Sequence, residues 1–358
     1  MKNAFDVIVV GAGAAGIAAA ATAARAGCAT LLIDQRASIG GTGGHSGLTT
    51  LCGLYDSNGQ ALNNGFVREF SGAIQETPPV QMGKVWALPY RPESFRKAAA
   101  TFLEAVEIRC QTRVEEAFVQ SDRIVALNGI SAGAVVDCTG DAEVARAIGL
   151  KCMATDEATQ APAVIIPLRG VKRDLSSPAA VAQVMLPLAR AGFAPLNFNT
   201  SLEPNEIVVK FTGRPEQAPE VIAFLRANVE GFEKCDTSLT KFVASHRAGR
   251  MIMGEYVLTG DDVLAGRKFE DAVARGAWPI EQWSSDGVAR YKYLAAGEHY
   301  EIPARALRSR AIKNLFMAGK TLSADVDAIA SARVMGCCLA TGEAAGQFAA
   351  RSLESRHP

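Results

Sequence analysis

The sequence predicts an α/β fold that begins with a dinucleotide-binding βαβ unit, and three observations lead to that prediction. An apolar, strand-like run ends at Val10 and is followed by a glycine-rich turn and an alanine-rich helix. An acidic residue, Asp34, stands at the end of the next predicted strand. The C-terminal segment, residues 301–358, returns to the order of strand, turn and helix. We therefore expect both ends of the chain to build one domain.

Composition and charge exclude several classes of protein. Of the 358 residues, 49% are hydrophobic and 21% charged, which is typical of a globular chain rather than a disordered or fibrous one. Lys and Arg together number 37, as do Asp and Glu, so no net field attracts a polyanion. We expect no nucleic-acid partner. The eight cysteines have no paired short spacing and no signal peptide precedes them, which predicts reduced thiols and a cytoplasmic location.

One uncharged stretch, from Val7 to Ala24, is long enough to raise the question of a transmembrane helix. Its composition changes from a β-branched block to an alanine-rich one, with three glycines between the blocks. That change favours strand, turn and helix, so we expect no membrane span.

Periodicity and turn residues divide the chain into elements. The segment 60–105 has several prolines and looks loop-rich. Elsewhere we predict strands at Phe5–Val10, Ala29–Ile33, Val114–Val119, Arg123–Leu127, Ala132–Asp137, Ala163–Leu168, Glu206–Phe211 and Ile312–Ala318, and helices at Ala14–Ala26, Pro178–Ala191, Ala218–Val229 and Ala330–Arg351.

The glycine-rich turn, residues 11–16, gives each glycine a physical role. Gly11 permits the tight turn, Gly13 lets backbone amides approach a pyrophosphate, and Gly16 lets helix and strand pack closely. The phosphate would lie at the helix N-terminus, and Asp34 would accept hydrogen bonds from the adenosine ribose. An acid at this position disfavours a 2′-phosphate. Arg36 could meet the adenine or the pyrophosphate.

The glycine motif alone does not separate FAD from NAD, but three later segments favour FAD. Ile39-Gly40-Gly41-Thr42 follows Asp34 closely, and an apolar strand enters the turn Thr139-Gly140-Asp141. Near the C-terminus, Asn314-Leu315-Phe316-Met317-Ala318-Gly319-Lys320 is a second strand of this kind, followed by residues 331–336.

On these segments, and on residues 247–346 as a whole, the sequence resembles the FAD-dependent oxidoreductases of the glutathione reductase-like flavoprotein superfamily, on the branch that also holds fumarate reductase. The resemblance implies that the first and last segments cradle one FAD, with Gly319 near the ribityl chain and the last helix directed at the flavin. The residues expected to hold FAD are Gly11, Gly13, Ala15, Gly16, Asp34, Gln35, Arg36, Gly41, Thr42, His45, Thr139, Gly140, Asp141, Gly319 and Met335.

The chain also departs from its relatives. Lys320 replaces a frequent Arg, and Ala328-Ile329-Ala330 stands where a His–Ala pair often precedes the serine.

Related disulfide reductases carry two redox cysteines after the Gly-Gly-Thr, where this chain has Gly44 and Thr49. There is no second glycine fingerprint, so we expect no separate NAD(P)H domain, and the electron acceptor is left open. The adjacent Cys337-Cys338 pair is interpreted as packing thiols.

His45 lies in the glycine-rich segment that the resemblance places along the flavin. Three interpretations stay open: a covalent bond to the flavin, a non-covalent role in the active site, and simple loop packing. An imidazole is a suitable nucleophile toward an electron-poor flavin methyl carbon.

The candidate catalytic residues are His45, Arg333 and Tyr300. Arg333, near the start of the last helix, could stabilise negative charge on a reduced flavin, or it could form a surface ion pair. Tyr300, Arg247 and Arg250 are weaker candidates for anchoring an acidic or polar substrate. No metal site is expected.

The predicted fold is α/β: a Rossmann-type FAD-binding domain with an inserted α+β substrate domain. The FAD-binding domain would comprise residues 1–60, 107–150 and 301–358, and the substrate domain residues 61–106 and 151–300. The predicted function is hydride transfer between an unidentified substrate and the flavin. Two alternatives remain: a flavin monooxygenase acting on a small molecule or on a protein or peptide side chain, and an FAD-binding maturation factor without turnover.

Overall fold

The computed structural model describes residues 3–354 apart from 176, 194, 195, 238, 240, 241, 243 and 285–288. Its strands are Ala4–Val10 (β1), Thr30–Ile33 (β2), Thr50–Cys52 (β3), Val80–Met82 (β4), Val85–Pro89 (β5), Glu107–Arg109 (β6), Ala117–Gln120 (β7), Arg123–Leu127 (β8), Ile130–Asp137 (β9), Cys152–Thr155 (β10), Ala163–Arg169 (β11), Leu196–Thr200 (β12), Glu206–Thr212 (β13), Ala244–Ser245 (β14), Gly249–Ile252 (β15), Ala272–Gly276 (β16), Ile280–Trp283 (β17), Ala289–Lys292 (β18), Tyr300–Pro303 (β19) and Leu315–Met317 (β20).

The helices are Ala14–Arg25 (α1), Gly41–His45 (α2), Phe66–Ile74 (α3), Pro92–Phe102 (α4), Glu143–Ala147 (α5), Pro178–Arg190 (α6), Ala218–Asn228 (α7), Gly260–Leu264 (α8), Val326–Ala332 (α9) and Met335–Glu354 (α10). Short 3₁₀ turns occupy Pro215–Gln217, Ala304–Leu307 and Gly319–Thr321. No helix among the described residues is long and apolar enough to cross a membrane.

The largest sheet has the strand order β6-β2-β1-β9-β8-β7, and β20 also pairs with β9. The pairs β2–β6, β1–β2, β1–β9 and β9–β20 are parallel, whereas β7 and β8 form an antiparallel meander. In this register Val10 lies opposite both Ile33 and Asp137, and Met317 lies opposite Asp137. The turns that follow β1, β2, β9 and β20 therefore meet at one edge of the sheet. This mixed α/β architecture with a Rossmann-type core confirms the predicted fold class.

A second, antiparallel sheet has the order β12-β13-β11-β14. Alternate residues of its strands, including Val164, Ile166, Val209 and Phe211, pack with α6 and α7 in a separate hydrophobic cluster. The period of two in a strand leaves the intervening residues, such as Ile165 and Lys210, on the opposite face. The strands and helices predicted between residues 163 and 229 are all present.

The predicted strands Val114–Val119 and Ile312–Ala318 are instead Ala117–Gln120 and Leu315–Met317, and two other differences are larger. Residues 60–105 are not mainly loop, because they contain α3 and α4, whose Phe66, Phe70 and Phe95 lie in the same hydrophobic core as β1 and α1. The sequence assigned this segment to the substrate domain. The predicted helix Ala330–Arg351 is instead two helices, α9 and α10, that are separated at Arg333 and Val334.

The packing of α1 against α10 depends on two glycines. A Cβ at Gly342 would lie 2.2 Å from the Ala15 carbonyl oxygen, and a Cβ at Gly346 would lie 2.4 Å from the Ala19 carbonyl oxygen. From the first contact to the second, the residue number rises by four in both helices, so α1 and α10 run parallel. Their N-termini consequently point in the same direction.

We expect Gly342→Ala to destabilise the protein by about 1–3 kcal/mol, because the added methyl group overlaps backbone that belongs to another helix. Gly72→Ala is the matched control, since a Cβ at Gly72 in α3 meets nothing within 4 Å. That change should stabilise the helix by about 0.5–1 kcal/mol. Urea unfolding of the two variants measures both effects. Equal stabilities of the two variants would contradict the close packing of α1 and α10.

Candidate active site

An open cleft of about 1900 Å³ lies between the turns at the edge of the parallel sheet and the second sheet. Its walls include the β1–α1 turn, the start of α10, the free face of β11 and β13, and the β17–β18 hairpin. Every residue predicted to hold the cofactor lines this cleft except Gly16. Their contact with FAD stays a prediction, but the structure brings them together.

The glycines of the first turn have the surroundings that their predicted roles require. Gly11 has a φ of +99°, and a Cβ at this position would lie 2.5 Å from the Cys138 carbonyl oxygen. A Cβ at Gly16 would lie 1.7 Å from the Gly11 carbonyl oxygen, so this glycine serves the packing of turn and helix. At Gly13, in contrast, a Cβ would meet no protein atom within 4 Å. The space beside Gly13 is open cleft.

Asp34 is buried, with 5% of its surface exposed, yet its side chain reaches the cleft wall. One carboxylate oxygen accepts a hydrogen bond from the amide of Ala12 at 2.6 Å, and the other accepts one from the amide of Arg36 at 2.7 Å. These bonds tie the end of β2 to the glycine turn. Each carboxylate oxygen has further lone pairs, so the group can still accept hydrogen bonds from a ligand.

The opposite side of the cleft is formed by segments from the middle and end of the chain. Gly319 follows β20, and its backbone N–H donates to Thr341 Oγ1 at 3.1 Å. Lys320 donates to the carbonyl oxygen of Ala248 at 2.5 Å, which ties the C-terminal turn to the residue that precedes β15. Burial, with a further contribution from Arg333, lowers the pKa of Lys320 to about 8. Asp141, a predicted cofactor residue, forms an ion pair with Arg250 at 2.7 Å.

The cleft fits an extended dinucleotide in size and chemistry. The N-terminus of α1 opens at Gly13, where no side chain caps its free N–H groups. Gly342 of α10 contacts Ala15, which is the second residue of α1. Helix α10 begins seven residues before Gly342, about 10 Å at 1.5 Å per residue, so its N-terminus extends farther along the cleft than the N-terminus of α1. Two positive helix ends therefore face one cavity at different points along its length.

His45 is exposed and lines the cleft at the end of α2. Its Nε2 lies 2.7 Å from the carbonyl oxygen of Ile39 and 3.1 Å from Ser38 Oγ. The carbonyl oxygen can only accept, so Nε2 carries the proton in the neutral ring and Nδ1 is the unprotonated nitrogen.

The three predicted catalytic residues have different environments. Arg333 lines the cleft between α9 and α10, and its Nη2 donates to Gln160 Oε1 at 3.2 Å, so it does not form the surface ion pair considered from the sequence. Tyr300 is fully buried, does not line the cleft, and its hydroxyl is bonded to Ser331 Oγ at 2.8 Å. Tyr300 is therefore a structural residue beneath α9 and not the catalytic or substrate-anchoring residue predicted from the sequence.

A charged cluster on the far wall of the cleft joins two arginines that the sequence singled out to two residues that it did not. It contains Lys210 of β13 and Glu281 of β17, together with Arg247 and Arg333. Glu281 accepts hydrogen bonds from the indole N–H groups of Trp278, at 2.8 Å, and Trp283. Burial alone would raise the pKa of Glu281, but the nearby cations Lys210 and Arg333 lower it more. The sequence signal was a lysine between Val209 and Phe211, at a strand position that ordinarily faces solvent.

The profile of the FAD dependent oxidoreductase family matches residues 6–189 and 196–358. The chain belongs to this family. It is thus an FAD-dependent oxidoreductase, as predicted, and FAD is its cofactor. A comparison with curated proteins finds no match.

Solved structures with the same fold are distant in sequence. A geranylgeranyl bacteriochlorophyll reductase-like protein from Thermoplasma acidophilum is 13% identical, with a TM-score of 0.56 over 99% of this chain and 80% of its own. The anhydrotetracycline hydroxylase from Streptomyces rimosus is 14% identical, with a TM-score of 0.55 over 99% of this chain and 63% of its own. A flavoprotein/dehydrogenase from Cytophaga hutchinsonii is 14% identical, with a TM-score of 0.52 over 98% and 79%.

We expect Gly13→Val to reduce FAD affinity by roughly tenfold to a hundredfold without unfolding the protein, because the backbone amides can no longer reach the pyrophosphate. Gly13 has φ −81° and ψ −172°, which any residue adopts, and open space surrounds the position. Flavin absorbance after gel filtration measures occupancy, and thermal unfolding of the flavin-free protein checks the fold. Full occupancy in the variant would show that the pyrophosphate does not approach this turn.

Proposed function

We propose that this oxidoreductase transfers a hydride between a small-molecule substrate and FAD, and that the substrate lies on the far wall of the cleft. The single observation that carries the proposal is the continuity of the cleft. It runs without interruption from the glycine turn at Gly11 and Gly13 to the start of α10 and on to Lys210 and Glu281. A substrate in the second half would therefore be next to the cofactor.

The cofactor supplies the redox chemistry when bound, and the chain's own residues bind, orient and exclude water. Asp34 and the α1 N-terminus would hold the adenosine and pyrophosphate, and the α10 N-terminus with Arg333 would face the flavin end. Arg333 supplies a fixed positive charge there. The apolar residues Ile165 and Met185 and the ring of Trp278 line the substrate half and would limit water.

The finer relationship to fumarate reductase and the cytoplasmic location belong to this proposal as well. The eight cysteines are all free thiols in the structure, which supports a reducing compartment. Burial raises the pKa of Cys337 and of Cys338 to about 12, which supports the interpretation of this adjacent pair as packing thiols.

A flavin monooxygenase is the second candidate function. It is favoured by likeness in fold to the anhydrotetracycline hydroxylase and to an aromatic hydroxylase from angucycline biosynthesis, whose TM-score is 0.54. One face of β11 and β13 forms a wall of the cleft, against which an aromatic substrate would lie. The third alternative, a maturation factor, would use FAD without turnover.

The reoxidation rate distinguishes these functions. Anaerobic photoreduction of the holoprotein, followed by mixing with air, should give reoxidation over minutes, as expected of an enzyme whose acceptor is not oxygen. Reoxidation within seconds would favour an oxidase or monooxygenase instead. A bound flavin that light cannot reduce would support the role without turnover. A screen of acids, alcohols and amines for flavin bleaching then identifies the substrate class.

We also propose that His45 contacts the flavin without a covalent bond. The hydrogen bond from its Nε2 to the Ile39 carbonyl holds the ring at the cleft wall, and Gly40, Gly41, Gly43 and Gly44 flank it with backbone free of side chains. Acid precipitation should leave the yellow colour in the supernatant, and His45→Ala should alter the flavin spectrum or turnover. His299→Ala, remote from the cleft lining, is the control. A flavin adduct on the peptide that holds His45 would show a covalent bond. If the spectrum and turnover of the His45→Ala variant were unchanged, His45 would serve only in the packing of the loop.

A further inference from the structure

The far wall of the cleft carries more positive charge than the protein itself neutralises. One carboxylate, that of Glu281, interacts electrostatically with all three cations of this wall: Lys210, Arg247 and Arg333. Glu281 is 9% exposed, and both of its oxygens accept hydrogen bonds from indole N–H groups rather than from the cations. Within the part of the chain that the structure describes, none of the three cations forms an ion pair.

Two of these cations also have buried N–H groups without an acceptor. Arg247 is 6% exposed, and its Nη1 donates to the Ala161 carbonyl at 2.6 Å, whereas no described atom accepts from its buried Nη2. Arg333 donates through Nη2 to Gln160, whereas its buried Nε has no acceptor among the described residues. Both side chains line the cleft. Leaving a buried charged donor unpaired is costly, at about 1–3 kcal/mol or more.

Lys210 completes the cluster from the second sheet. In the strand register it lies opposite Ile165 of β11 and Asn197 of β12, and all three residues line the cleft. Its ammonium lies 5.0 Å above the ring of Trp283, and the guanidinium of Arg247 lies 4.7 Å from the centre of the same ring. Burial lowers the pKa of Lys210 and of both arginines, which shows that the site disfavours these charges in the absence of an anion.

We propose that Lys210, Arg247 and Arg333 form an anion-binding subsite that holds the carboxylate of an organic acid substrate. The inference rests on the proposed function, because it assigns the substrate class of that same cleft. A bound carboxylate would accept the unused N–H groups of the two guanidinium ions and neutralise charge that Glu281 leaves uncompensated. Tyr291 and Tyr293, which also line the cleft, provide aromatic surface for the rest of the substrate.

The test uses the holoprotein and a matched panel of benzoate, succinate and neutral benzamide. We expect at least one carboxylate to perturb the flavin absorbance and the tryptophan fluorescence at millimolar concentration, while benzamide does neither. Trp278 and Trp283 are two of the three tryptophans in the chain, so the fluorescence signal reports on this wall. Added chloride should compete with the carboxylate.

Substitutions then locate the site. Lys210→Met and Arg247→Met should each weaken carboxylate binding tenfold or more, and Arg247→Lys should restore part of the loss. Arg68→Met and Lys151→Met remove exposed charges of the same kind and should leave binding unchanged. Lys210→Met should also keep or raise the urea midpoint of the protein without ligand, because it removes a half-buried cation that has no ion partner among the described residues. A purely structural lysine would lower that midpoint.

The proposal is overturned if no carboxylate binds to folded, flavin-loaded parent protein, if benzamide binds as tightly as benzoate, or if the Lys210 and Arg247 variants bind as the parent does. These failures are distinguishable from failure of the proposed function. A flavin that some neutral substrate reduces, without carboxylate binding, refutes only the subsite. Carboxylate binding to a flavin that no substrate reduces refutes only the hydride transfer.

Discussion

The close, parallel packing of α1 and α10 is the constraint on which the rest of the site depends. Gly342 and Gly346 let the two helix backbones approach until a side chain would overlap Ala15 and Ala19. Because the helices are parallel and offset, their positive N-termini open into one cleft at separate points along it. The parallel register of β1, β9 and β20 then brings the turns after these strands to the same edge. One cofactor site is thus assembled from the two ends of the chain.

The second sheet supplies what the Rossmann-type core lacks. One face of β11 and β13 is covered by α6 and α7, so the other face is free to form a wall of the cleft. Placing a lysine there, opposite two arginines and a carboxylate held by two indoles, produces a buried site with excess positive charge. Such a site is costly in the protein alone and becomes favourable when it binds an anion. The uncompensated charge lowers the stability of the protein without a ligand, which is consistent with a binding role for this wall.

Local signals made the dinucleotide-binding part predictable. The turn from Gly11 to Gly16 and the acid at Asp34 are each specified within a few residues. The elements β11, α6, β13 and α7 follow from periodicity, whereas the edge strand β12 was not predicted. The break at Arg333 was not predictable, because the run is alanine-rich on both sides and helix propensity is continuous. It coincides with a tertiary contact, since a Cβ at Gly336 would lie 2.3 Å from the Gly53 carbonyl oxygen.

The charged wall could be predicted only in part, for a different reason. Arg247 and Arg333 were separate candidates from the sequence, whereas Lys210 and Glu281 are ordinary in their own sequence context. Dozens of residues separate each of the four from the next. Only the pairing of β11 with β13 and the position of β17 bring them together. Tyr300 illustrates the opposite case: a polar side chain near the predicted site is fully buried and bonded to Ser331.

Titration of FAD into flavin-free protein, followed by tryptophan fluorescence, tests the central claim that one cleft, framed by α1 and α10, holds the cofactor beside the charged wall. Trp278 lines that cleft and Trp283 lies in contact with its cations. We predict quenching that saturates at one FAD per chain, with no comparable effect of NAD. Binding of FAD without quenching, or equal binding of NAD, would contradict the account.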